Sequence, residues 1–222
     1  MSENLGFLTV IDQSSSGLTG GYLVLNNVGR PLEFHCTVPI CPDRIQQILY
    51  GETFQPFLYG EKIAQTLIQR SKLPILSVLT NCVSVLPLQT LVSTPVIYVF
   101  DETKSRDVPD DAGASEHVRV QSEMEVSKEL NNSLKNFGIS NSNLRTWDSS
   151  QGELPQIPWI SGFETSSWKT SQLGNRLIAL PEIEGTDRND LLANIRERAL
   201  MIDVLEPFSR IYRALEEAEK AA

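Results

Sequence analysis

The sequence predicts an α/β protein, in which a three-stranded amino-terminal meander extends into a mixed sheet with covering helices. Three observations carry that expectation. Strand-forming runs with period-two alternation fill the chain up to Pro39. Compact apolar runs, at 75–80 and 95–100, are separated by helical or turn-rich stretches. Apolar residues recur at helical spacing near the carboxyl end, at Ile195, Ala199, Ile202, Leu205, Tyr212 and Leu215.

Residues 5–11, LGFLTVI, read as the first strand, and 12–17, DQSSSG, as the turn after it. The stretch 20–39, GGYLVLNNVGRPLEFHCTVP, reads as a hairpin about Asn26, Asn27 and Gly29, residues that tolerate positive φ. Its second strand alternates. Leu32, Phe34, Cys36 and Val38 are expected on a buried face, with Glu33, His35 and Thr37 opposite.

Asp43 is expected to cap a short helix, 43–50, carrying Ile45, Ile48 and Leu49. Leu-Tyr-Gly-Glu at 49–52 recurs at 58–61 as two glycine-bearing turns, too short to make a repeat protein. A helix over 61–71 presents Ile63, Leu67 and Ile68 and stops before Pro74. A buried strand at 75–80, a short helix at 83–91 broken by Pro87, and a strand at 95–100 complete an α/β core over 1–102.

Residues 103–117 are poor in apolar residues and rich in turn formers, which marks a mobile loop or boundary. The rest, 118–222, reads as helices and Trp-bearing loops packed on the same core. It has a helix at 122–137, short strands at 144–147 and 176–180, and a long carboxyl-terminal helix capped by Thr186 or Asn189. Pro207 should kink or split that helix, because its ring removes a donor and clashes one turn back.

Composition narrows the function classes. A chain of 222 residues, 41% hydrophobic and 21% charged, is long enough to bury a core. A net charge of −9 without a basic run argues against nucleic acid as a partner, since neutralising phosphates takes clustered Lys and Arg. Three Cys, a polar start at 1–4 and no long apolar run point to a reducing, cytoplasmic setting without membrane contact.

Few constellations carry chemistry. His35, Cys36, Cys41 and Cys82 are ligand types for zinc, but His35 and Cys36 are neighbours on one strand and face opposite sides. There is no nucleophile-elbow or phosphate-loop motif. Trp147, Trp159 and Trp168 read either as an interaction surface or as a lid over the core. The apolar stripe of the carboxyl-terminal helix reads either as sheet packing or as the contact of a homo-oligomer.

Over residues 5–101 the order strand, strand, strand, helix, strand, short helix, strand resembles the ribonuclease H-like fold. Nuclease members carry acids at the end of the first strand, in the first main helix and at the end of the fourth strand. The resemblance implies Asp12 and Glu61 as catalytic and metal-holding acids for Mg²⁺ or Mn²⁺. At the fourth-strand position stand Thr80 and Asn81, with Asn81 where an acid is expected, and Asp101 after the last strand is the substitute.

Two functions follow. One is a non-catalytic cytosolic interaction or scaffold protein with an unknown protein partner and no cofactor. The other is a divalent-metal-dependent phosphodiesterase or nuclease on a ribonuclease H-like, and in part degenerate, scaffold.

Overall fold

The computed structural model describes residues 4–13, 17–100, 168–174, 176–183, 185–199 and 202–221. The chain divides into two compact units, 1–101 with 149–222, and 102–148, the second wholly outside the described residues. The expected boundary at 103–117, the helix at 122–137 and the strand at 144–147 therefore also lie outside them.

Seven strands form one mixed sheet: β1 Asn4–Gln13, β2 Gly17–Leu25, β3 Pro31–Cys36, β4 Ile75–Thr80, β5 Val96–Val99, β6 Lys169–Leu173 and β7 Arg176–Leu180. Their order is β3-β2-β1-β4-β5-β7-β6. The meander β1-β2-β3 is antiparallel; β4 runs parallel to β1, and β5 parallel to β4. The hairpin β6-β7 adds on antiparallel to β5. This is the mixed α/β sheet the sequence predicts, and its first five strands follow the element order on which the resemblance rests.

Helices cover both faces. α1 Arg44–Tyr50 follows β3, a π-helical stretch Pro56–Gln65 runs on into α2 Thr66–Arg70, and a 3-10 stretch Val83–Thr90 links β4 to β5. α3 Arg188–Ala199 and α4 Glu206–Lys220 close the chain. Successive residues of a strand face opposite sides, and Gly20 and Gly21 show how close the two helical layers come. A Cβ on Gly20 would overlap Ile63 of the π-helical stretch, and one on Gly21 would overlap Ile211 of α4. On the α4 side, Leu5, Phe7, Leu23, Leu25, Leu79 and Ile97 pack with Ile195, Phe208, Ile211 and Leu215. Phe7 and Phe208 meet edge to face at 5.6 Å. On the other side Leu8, Tyr22, Val24 and Val78 are buried, as are Leu58, Ile63, Ala64 and Leu67 of the covering helices.

Local chemistry explains the joints. Asn26 Oδ1 accepts from the backbone N–H of Val28 and Arg30, and Gly29 sits at φ +75, which closes the β2-β3 turn. Asp43 caps α1 through the N–H of Ile45. Asp187, rather than Thr186 or Asn189, caps α3: its carboxylate accepts from Asn189 N–H at 2.7 Å and its carbonyl from Leu191. Pro207 does split the expected helix. It lies in the first turn of α4, where its missing N–H costs nothing.

Three expectations are corrected. The face Leu32–Phe34–Cys36–Val38 is exposed, with Val38 at 79%, whereas Glu33 and His35 are half-buried. Pairing explains the inversion. Phe34 lies opposite Leu23 on the α4 side, but β3 is the edge strand and α4 packs over β1 and β2. Glu33 instead lies under the end of α2, where Ser71 donates to its carboxylate at 2.8 Å. Second, the apolar stripe of α4 is buried on the sheet, which is the sheet-packing reading, so that stripe is not available as the contact of a homo-oligomer. Third, Asp12 stands within β1 rather than in the turn after it. Among the described residues no helix is long and apolar enough to cross a membrane.

Candidate functional site

β1 and β4 are adjacent and parallel, so their carboxyl ends lie side by side. In open α/β sheets, ligands bind outside the carboxyl ends of strands where the chain order switches direction. The chain leaves β1 for β2 on one flank, while β4 lies on the other. Asp12 sits at that end.

Register decides what shares its face. Asp12 pairs with Leu18 and Val10 with Gly20, so Asp12 faces the same side as Gly20, towards the π-helical stretch. Leu8 pairs with Thr80, which places Thr80 on the Asp12 side and Asn81 on the α4 side. Asn81 is held there. Its Oδ1 accepts from Thr9 Oγ1 at 2.7 Å, its Nδ2 donates to Tyr212 Oη at 3.3 Å, and Thr9 and Tyr212 stand 3.4 Å apart. Asp12 lies three residues, about 10 Å of strand, beyond Thr9. Asn81 is therefore turned away from the face that carries Asp12. It is a polar link between β1, β4 and α4, on the opposite face.

The Asp12 side has its own company. Tyr59, in the π-helical stretch, has its phenol pushed far up, chiefly by burial and further by electrostatic coupling to Cys82 and Asp12. Thr80 Oγ1 accepts from Cys82 N–H at 3.1 Å and fixes the turn after β4. Asp12 is exposed at the strand end, yet partial burial of its carboxyl raises it above its ordinary value of 3.8. Among the described residues it has no ion-pair partner.

Glu61 follows Gly60, which packs on Pro87 and Leu88, and its side chain is exposed. It belongs to the same π-helical stretch as Tyr59. Asp101, Trp147 and Trp159 lie outside the described residues. Trp168 is buried, 8% exposed. Among the described residues no three His, Cys, Asp or Glu side chains gather so as to hold a metal ion. Cys36 and His35 lie opposite Gly21 and Tyr22 and so face opposite sides, and His35 Nε2 meets Glu33 at 3.3 Å.

Sequence reasoning missed Tyr59 and the link Thr9–Asn81–Tyr212, and it singled out Cys82 only as a zinc-ligand type and Thr80 only as a fourth-strand position. A π-helical segment, whose kind is frequent at functional sites, has no periodic signature by which to find Tyr59. Thr9 and Tyr212 are too far apart in the chain for any local pattern to join them.

No family model matches the chain, and no curated protein matches it. Among solved structures it is similar to Endonuclease V of Ciona intestinalis, in complex with a 23mer DNA containing an inosine followed by a ribo-adenosine. That match has TM-score 0.44 and 13% identity, over 99% of this chain and 87% of that one. A second complex of the same enzyme, with a 24mer DNA, has TM-score 0.41 and 15% identity over the same shares. Both similar structures hold DNA, against the expectation that nucleic acid is not a partner. At these scores the enzyme's activity stays with the enzyme.

Proposed function

We propose that the chain is a nucleic-acid phosphodiesterase of ribonuclease H-like architecture, with Asp12 as its anchoring acid and Mg²⁺ or Mn²⁺ as cofactor. The observation that supports this reading is Asp12 itself: a partly buried carboxylate at the carboxyl end of β1, beside β4, with no ion-pair partner among the described residues. A carboxylate repels a phosphodiester unless a cation stands between them. Mg²⁺ suits a sparse donor set, since it keeps several waters and takes one or two carboxylates plus substrate phosphates rather than a closed protein cage. Asp12 would hold the ion, with Glu61 the second acid on the neighbouring helical stretch. A bound divalent ion would supply charge stabilisation at the phosphoryl oxygens. Asp12 positions that charge, and Tyr59 and the Thr80–Cys82 turn shape the wall beside it.

The test is cleavage of end-labelled single- and double-stranded DNA and RNA, with Mn²⁺ or with EDTA. The proposal expects Mn²⁺-dependent cleavage by the wild type and a loss of at least about a hundredfold in Asp12→Asn, the scale on which one electrostatic contact to a transition state acts. Cleavage that survives in Asp12→Asn would refute it.

One observation favours the interaction-protein reading. α1 buries none of its residues, and Ile45, Ile48 and Leu49 are 63%, 72% and 78% exposed. Contiguous exposed apolar side chains mark contact surfaces. Wild-type protein without Mn²⁺-dependent cleavage, and with a partner lost on Ile48→Lys, would support it instead.

A further inference from the structure

We propose that the protein forms a two-fold dimer by pairing β3 with β3 of a second copy, antiparallel and centred on Phe34. β3 is an outer strand of the sheet, and no described strand pairs with its far side. Thr37 N–H donates to Gly20 O at 3.0 Å, which fixes the hydrogen-bonded positions against β2. Counting back by two along the register, His35 opposite Tyr22 and Glu33 opposite Val24 turn their backbone groups inward. Leu32, Phe34 and Cys36 turn theirs outward. An edge of this kind is a template for another strand unless it is blocked.

The sequence of β3 is complementary to itself in one register. Centred on Phe34, every hydrogen-bonded pair uses an outward residue: Phe34 with the partner's Phe34, and Leu32 with the partner's Cys36. Those side chains fall on the α4 face, where Leu32 and Phe34 are 44% and 39% exposed. The non-hydrogen-bonded pairs set Glu33 against the partner's His35 on the other face. There an acceptor meets a donor in the closer type of pair. Ser71, Lys72 and the same chain's own His35 already meet Glu33, but two carboxylate oxygens offer about four acceptor sites, and the other ring nitrogen of His35 makes no contact with Glu33. A shift of one residue would set inward-facing groups against the partner, and a shift of two would set His35 against His35 or Glu33 against Glu33, so the pairing centred on Phe34 is the favoured register. The dimer is isologous, as two-fold symmetry requires.

Sedimentation velocity of the full chain tests this. The wild type is expected to sediment as a concentration-dependent dimer, and Phe34→Glu and Phe34→Lys each as monomers with wild-type circular dichroism. An equimolar mixture of the two variants is expected to dimerise again, because opposite charges then meet at the two-fold axis. Independently, Leu32→Cys should give a covalent dimer on oxidation through the partner's Cys36, since hydrogen-bonded pairs hold Cα atoms about 5.5 Å apart, within disulfide reach. A second change, Cys36→Ser, should abolish that cross-link. A wild type that stays monomeric, a dimer that survives both Phe34 variants, or a cross-link that survives Cys36→Ser would overturn the proposal.

Discussion

Asp12 carries the most at the scale of single residues. Its type and its place near the end of the first strand are legible in the sequence, but which way it points is not. Only the register, Asp12 opposite Leu18, shows that it faces the π-helical stretch, and that Asn81 faces away. An acid whose folded pKa is raised binds its proton more tightly folded than unfolded. Its stabilising contribution is therefore full below about 3.8 and lost as pH rises through the higher folded value. At neutral pH the ionised group is a liability. Asp12→Asn should thus melt at or above the wild-type temperature at pH 7, with the gap closing as pH falls to the ordinary aspartate value. A variant that melts well below the wild type at pH 7 would mean that the carboxylate has a stabilising partner.

Among elements, the hairpin at Gly20–Pro39 shows both the reach and the limit of pattern reading. Period two and a glycine turn give the strands and the turn correctly. They do not give the sign of the faces, because alternation says which residues share a side and not which side is covered. Coverage depends on strand order, and at the edge β3 turns its apolar side outward. The paired glycines of β2 carry another kind of information. Gly20 and Gly21 are where helices from both faces approach the sheet, which no local propensity foretells. Gly21→Ala should cost about 1–3 kcal/mol by overpacking against Ile211, and about 2–4 °C of Tm per kcal/mol in a chain of this size. A shift under one degree on thermal denaturation would show that α4 packs more loosely than described. The carboxyl-terminal helix was legible in its stripe and in Pro207 as the break. Its cap was not, since Thr186, Asp187 and Asn189 are all capping types within one turn.

For the molecule as a whole, element order was enough to foresee a mixed sheet of ribonuclease H-like order over the first hundred residues or so, and the observed order β3-β2-β1-β4-β5 is compatible with it. The hairpin β6-β7 was half seen: β7 as a strand, β6 not, because Lys169–Leu173 is polar and lies on an outer edge. Net charge misled. A total of −9 suggests repulsion from nucleic acid, but an acid aligned at a strand end can turn a phosphodiester's charge into a requirement for a divalent ion.

That requirement is the central claim, and thermal unfolding with and without millimolar Mn²⁺, on wild type and Asp12→Ala, tests it most directly. An ion at about one hundred times its Kd stabilises the native state by about 2.7 kcal/mol, several degrees for this chain. The account predicts that rise in the wild type and none in Asp12→Ala. Equal melting temperatures with and without Mn²⁺ in the wild type, or the same rise in the variant, would contradict it.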